Sequence, residues 1–366
     1  MKLGNLFAAL AVILAGLFFS LLDSPAAAES PSAVFESELV VKRPQRRFGY
    51  RGMPGDIEVL GDGRLLLSYV SWDPSGVILG RHSSDQGKTW GPEFTILSKP
   101  AEGEKAGFMA PSFLRLANGQ LLMSYVYIAG AMPRYGHNYY RRSNDDGKSW
   151  SEQFVMTPNA GYNLAHNDKL LQLSTGRLIA PLEMELTEEG GDHRGYVSYT
   201  FYSDDNGLSW RKSKNIVNVL PVEAQEPHVV ELKDGRLMML CRTYSGYVVR
   251  SYSEDKGESW SPGEHLKELS LPPNSSALNV KRIPLTGDLL LLRCSSGVER
   301  RRTPFVSAIS KDEGRTWTNQ RVIAGDSNDD YGYPSLLFLD GKAIISFHRR
   351  TGLQVARIPV SWFYEQ

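Results

Sequence analysis

The 366-residue sequence predicts an all-β fold, a six-bladed β-propeller, from three observations: one turn motif repeated five times, six apolar hairpins, and no sustained helical periodicity beyond the N-terminal segment. A ring of small sheets is the architecture that places many short, evenly spaced strands around one centre.

The turn motif reads SSDQGKTW, SNDDGKSW, SDDNGLSW, SEDKGESW and SKDEGRTW, starting at Ser83, Ser143, Ser203, Ser253 and Ser310. It takes up five of the seven Trp residues: Trp90, Trp150, Trp210, Trp260 and Trp317. Its chemistry is that of a closed hairpin turn. Asp caps backbone amides, Gly takes a left-handed conformation, and Trp returns to pack over the turn. Asp85, Asp145, Asp205, Asp255 and Asp312 are therefore folding residues and are excluded from any site.

Between the boxes lies an apolar strand, a Gly turn and a second apolar strand, as in DIEVLGDGRLLLSY and HVVELKDGRLMMLC. Asp-Gly or Asn-Gly between apolar runs is a hairpin signal. Six hairpins with outer turns make six four-stranded sheets. The sixth unit lacks a box and the chain ends soon after it, so the strand-like segment Ser37 to Lys42 is expected to complete the last blade and close the ring.

Lys2, the apolar run Leu6 to Phe19 and Ala26-Ala27-Ala28 have the form of a secretory signal peptide, so residues 1–28 are expected to be removed and 29–366 to form one propeller domain. The expected location is secreted or periplasmic, with no membrane span after signal cleavage. The 41 basic and 41 acidic residues balance, which leaves no nucleic-acid footprint. Cys241 and Cys294 both end apolar strands and read as buried thiols, although a single bridge between them is conceivable.

Five such boxes in a six-bladed ring resemble the sialidases (neuraminidases), the Asp-box or BNR-repeat propellers, over essentially the whole of residues 29–366. The resemblance implies an exo-acting, retaining glycoside hydrolase that releases a terminal sialic acid or similar sugar acid from a glycoconjugate. It also implies an Arg cluster for the substrate carboxylate, a Tyr nucleophile activated by Glu, and an Asp acid/base. Gln225-Glu226-Pro227-His228 followed by Arg242 matches the segment that carries the Glu and one Arg. Tyr333-Pro334-Ser335-Leu336 matches the nucleophile segment, with Tyr331 two residues earlier as the alternative. Arg302, eight residues ahead of Ser310, has the spacing of a second Arg. Arg51 is the candidate first Arg, with Arg46 or Arg47 open in its place. The family's Glu at the end of the last hairpin is replaced here by Phe347-His348.

Asp73, in Trp72-Asp73-Pro74-Ser75-Gly76, stands where the acid/base belongs, with Asp168 in reserve. Asp56, His166, Asn167, Asp168, His228 and Asn279 open inner strands and are expected to line the funnel, with Asp168 and His228 contributing to substrate binding. No metal or organic cofactor is implied. A nucleotide loop and a Ser/His/Asp signature are both lacking. Two rival readings remain: a propeller glycosidase for another sugar, and a non-catalytic propeller that binds glycans or proteins.

Overall fold

The computed structural model describes residues 35–365 except 43–54, 72–76, 99–106, 130–134, 159–160, 188–192, 220–222, 273–274 and 296–300. The signal peptide with its cleavage point, Arg46, Arg47, Arg51 and Asp73 lie outside the described residues.

Six antiparallel sheets follow one another along the chain. The first four-stranded sheet runs Asp56–Val59, Leu65–Val70, Ile78–Ser83 and Phe94–Leu97. The fourth runs Gln225–Glu231, Leu237–Arg242, Tyr247–Ser253 and Glu264–Ser270, and the fifth starts at Asn279–Arg282. The sixth takes Gly332–Leu339, Lys342–Arg349 and Gly352–Pro359, and its outer strand is Glu36–Lys42, antiparallel to Gly352–Pro359. That pairing closes the ring with the segment expected from the sequence.

Apolar cores hold the blades together at every junction, with two at the junction of the second and third blades. Leu66 and Ile78 of the first blade pack with Phe113 and Met123 of the second. Ile344 and Val355 of the sixth pack with Leu65 and Leu67 of the first. A strand clamped between two neighbours is buried on both faces, which is why the strands Leu237–Arg242 and Leu289–Cys294 begin with the unbroken apolar runs LMMLC and LLLL instead of alternating.

The boxes superimpose in chemistry. In the first, Gly87 N donates to Ser83 Oγ (2.8 Å), Thr89 N to Asp85 Oδ1 (2.9 Å) and Thr89 Oγ1 to Asp85 Oδ2 (2.7 Å). The second repeats this with Ser143, Asp145, Gly147 and Ser149 at 2.8, 2.9 and 2.5 Å. Cys241 and Cys294 are free buried thiols, and burial pushes them up to about 12 and about 11.

The third blade departs from the hairpin expected of it. Its first strand is split into Asn163–Leu164 and Leu171–Gln172, and the intervening segment carries His166, Asn167 and Asp168 into the ring, with Asp168 at φ 54°.

Candidate active site

The Glu226 and Tyr333 side chains at the centre come from the starts of inner strands, where the backbone does something unusual. Ala110, Glu226 and Tyr333 each precede a Pro, each has a positive φ (50°, 45° and 51°), and each sits in an irregularity of the strand register. Such an irregularity re-aims a side chain out of the two-fold alternation. Tyr331 and Tyr333 therefore do not share a face. Tyr331 is buried in the apolar core with its ring 6.1 Å from that of Phe347. Gly332 between them is required by close approach, since a Cβ there would stand 2.5 Å from Ser276 Oγ and 2.7 Å from Ser276 Cβ.

Tyr333 Oη donates to Glu226 Oε1 at 2.9 Å across the ring, from the sixth blade to the fourth. Arg242 ends the strand beside Glu226, and the register sets it opposite Gln225. Its Nη1 lies 2.5 Å from the same Glu226 Oε1, and its Nη2 donates to Tyr244 Oη at 2.8 Å. Arg302 arrives from the fifth blade with its guanidinium carbon 5.4 Å from the Tyr333 ring centre. Tyr331 N donates to the Arg302 carbonyl at 3.0 Å, which ties that Arg to the approach of the Tyr333 strand.

Electrostatics polarise this group. Burial raises the Glu226 carboxyl, but Arg242, His166 and Arg302 outweigh it and bring it down to about 2. Burial and the Glu226 charge push the Tyr333 phenol up to about 12 against the pull of Arg302 and Arg242. In the resting site the proton stays on Tyr333 and the charge on Glu226. Glu226 Oε2 and Arg242 Nε are buried with no hydrogen-bond partner among the described residues.

The polar residues expected to line the funnel hydrogen-bond between blades. Asp168 Oδ2 accepts from Asn279 Nδ2 and from Leu336 N, both at 2.7 Å, and Oδ1 is paired with Lys281. His228 Nε2 meets the Asp168 carbonyl oxygen at 3.0 Å, and burial holds its imidazole well below the usual histidine range. Asp56 accepts from Phe113 N at 2.6 Å, joining the first blade to the second. Asn167 Nδ2 donates to Gly55 O (2.8 Å) and Tyr333 O (3.0 Å).

Two buried neighbours, Glu183 and Lys169, escape a reading of the sequence. Glu183, in the third blade's strand Leu178–Thr187, accepts from Glu226 N at 2.9 Å. Lys169 donates from Nζ to Leu278 O at 2.5 Å, and burial takes it down to about 8. His166, one of the residues expected to line the funnel, stacks on Tyr333 with ring centres 5.6 Å apart. The first of two acids, Glu183 and Glu185, interrupting the apolar run LIAPLEMEL was the available signal for Glu183. His166, Glu183 and Glu226 offer ligand atoms within 4.8 Å of one another, a spacing compatible with a metal ion. Arg242, already on Glu226, sets a positive charge against one.

The model of the BNR repeat-like domain family matches residues 75–345. The sialidase of Micromonospora viridifaciens is 27% identical over 343 residues, 84% of this chain and 51% of that protein. The Clostridium perfringens sialidase is 25% identical over 289 residues, 71% of this chain and 70% of that protein. The chain thus spans about half the length of the Micromonospora relative, and its match covers 37% of a Bacteroides fragilis sialidase. Among solved structures, a protein of unknown function from Dyadobacter fermentans has a TM-score of 0.69 at 20% identity, covering 88% of this chain and 98% of that one. The intramolecular trans-sialidase of Ruminococcus gnavus has a TM-score of 0.66 at 16% identity, covering 85% and 95%. At these identities the structures speak for the fold. The repeats, the closed ring and the match over most of the chain have one conclusion: this protein belongs to the BNR repeat-like domain family, as a six-bladed propeller closely resembling the sialidases and distantly homologous to them.

Proposed function

We propose that the protein is an exo-acting, retaining sialidase that removes a terminal sialic acid, or a sugar acid of the same shape, from a glycoconjugate. The observation that carries this is the 2.9 Å hydrogen bond from Tyr333 to Glu226, with Arg242 and Arg302 on the same pair. A carboxylate nucleophile would be repelled by a substrate carrying a carboxylate on its anomeric carbon, whereas a phenol is neutral until it reacts.

In this reading Arg242, Arg302 and Arg51 hold the substrate carboxylate. Tyr333 Oη bonds to the anomeric carbon and passes its proton to Glu226, while Asp73 protonates the departing glycosidic oxygen. Water then breaks the tyrosyl–sugar bond, giving up a proton to Asp73, and Glu226 returns its proton to the phenol oxygen. The resting pair is far from matched for transfer, the carboxyl at about 2 and the phenol at about 12. A substrate carboxylate that draws Arg242 away from Glu226 removes the charge that most lowers its proton affinity, so binding itself narrows the gap. Asp168 and His228, whose polar atoms already join blades, are read as the scaffold of the site.

The test is covalent. A 2,3-difluoro sialic acid should label the folded protein at one residue, and peptide mass mapping should find the sugar on Tyr333. Product analysis from a sialyllactose separates a free sugar acid from an anhydro product. Turnover of another glycosyl acid with none of sialosides would assign the neighbouring specificity. Glycan binding without turnover or labelling would leave a binding propeller.

A further inference from the structure

Two side chains packed against the Tyr333–Glu226 couple have no part in the reaction set out above. His166 lies nearly parallel to the Tyr333 ring, 5.6 Å between centres and 22° between planes. Its Nε2 is 3.3 Å from Glu183 Oε1 and 3.7 Å from Glu226 Oε1. Glu183 Oε2 accepts the Glu226 backbone N–H at 2.9 Å, at the residue whose φ is 45°. All three side chains are buried.

An unprotonated Nε2 would turn its lone pair on two carboxylate oxygens, which is repulsive in a site of low dielectric. The geometry therefore calls for a hydrogen on Nε2. A cation could fill the same gap, but Arg242 Nη1 already occupies Glu226 Oε1 at 2.5 Å, and Arg302 adds a second positive charge near Tyr333.

We propose that His166 and Glu183 are positioning residues of this site: the Nε2–H donates to Glu183 and sets its positive end 3.7 Å from Glu226 Oε1, Glu183 holds the Glu226 backbone in its left-handed conformation, and the imidazole face sets the orientation of the Tyr333 ring. The role rests on the sialidase reading of Tyr333 and Glu226. The titratable and charged groups around the cluster are Glu183 on the third blade, Glu226 and Arg242 on the fourth, Arg302 on the fifth, Tyr333 on the sixth, and Asp168 and Lys169 on the segment of His166 itself. The pair helps to keep Glu226 ionised and aimed until the substrate carboxylate arrives, because the His166–Glu183 and Glu183–Glu226 backbone hydrogen bonds do not depend on Arg242.

His166→Phe keeps the aromatic face and removes the N–H. On an aryl sialoside its kcat should fall by roughly 10- to 100-fold with KM changed by less than about threefold, and the acid limb of kcat/KM should move to higher pH because Glu226 loses a group that holds its proton off. Glu183→Gln still accepts the Glu226 amide and should lose about tenfold in kcat. A folded His166→Phe enzyme with wild-type kcat and an unmoved acid limb overturns the proposal. So does a stoichiometric divalent metal in the purified protein whose chelation abolishes turnover. A readout independent of activity is the imidazole 15N spectrum of the resting protein, with the His166 signal assigned by its loss in His166→Phe. A proton on Nε2 supports the arrangement, and an Nδ1–H tautomer overturns it. A wild type inert on every sialoside sinks the sialidase reading, and the nitrogen spectrum then decides the arrangement on its own.

Discussion

The outer turns and the inner strand starts of this ring use the same backbone device for opposite ends. Both place non-glycine residues at positive φ: Gln86, Asp146, Asn206, Lys256 and Glu313 in the boxes, and Ala110, Asp168, Glu226 and Tyr333 at the centre. In the boxes the acid is spent on its own turn, five times with the same partners. At the centre equivalent slots carry different side chains, and two of them reach across the ring to each other. Sameness at every copy marks a folding element, and difference between copies at one slot marks a site. Such strain costs on the order of 1–3 kcal/mol per residue and persists only where surrounding structure enforces it.

The comparison breaks first, and hardest, at the centre. Tyr333→Phe or Glu226→Gln should each cost on the order of 10³-fold or more in kcat, and the double variant little beyond either, because the two act as a unit. Additive losses in the double-mutant cycle would separate the two residues and remove the couple.

A box substitution should act on stability alone. Trp260 is 4% exposed, and its Nε1 donates to Thr200 Oγ1 at 3.0 Å. Trp260→Ala should lower the unfolding free energy by about 3–5 kcal/mol. Trp210 is only partly buried, so Trp210→Ala should cost less. Turnover per folded molecule should stay at the wild-type level in both. Urea unfolding with an active-fraction assay measures the two quantities side by side, and a folded variant without turnover would contradict the division of labour.

Acid offers a gentler probe of the boxes. Hydrogen bonds from Thr89 and Ser149 hold Asp85 and Asp145 down at about 2, against an ordinary 3.8. A carboxyl lowered on folding stabilises the fold above its unfolded value and stops doing so as pH falls through its folded one. The stability these turns supply should therefore fade between about pH 4 and pH 2. Both groups face solvent, which keeps the change small. The urea midpoint of an Asp85→Asn, Asp145→Asn variant should depend less steeply on pH in that window than the wild type's, and parallel curves would refute it.

The smallest effect is expected at the second blade, where Ala110 occupies the slot that holds Glu226 and Tyr333 elsewhere. Ala110→Gly removes a Cβ penalty of about 1 kcal/mol and adds a comparable entropic one, so stability should shift by less than about 1 kcal/mol. Turnover should not change. A large loss of kcat would give that blade a role in the site.

The sequence by itself determined the ring and the boxes: six apolar hairpins and five repeated turns are local patterns whose physics is complete within ten or fifteen residues. It also marked Glu226, Tyr333, Arg242 and Arg302 as a group through resemblance, although they stand as far as 107 residues apart. What only the tertiary structure decided is which polar residues at the centre turn toward the site and which toward the neighbouring blade. Tyr331 and Tyr333 look alike in an extended reading, and the register irregularity at Tyr333 parts them. Nothing in the sequence pointed to the partners of Asp168 and His228, whose bonds in the ring go to the fifth and sixth blades and to each other. Glu183 and His166 gain their meaning only from side chains contributed by the fourth and sixth blades. The reason is physical: a turn or a hairpin satisfies its hydrogen bonds with its own neighbours in the chain, whereas a buried charge at the hub can be satisfied only by groups that closure of the ring brings to it.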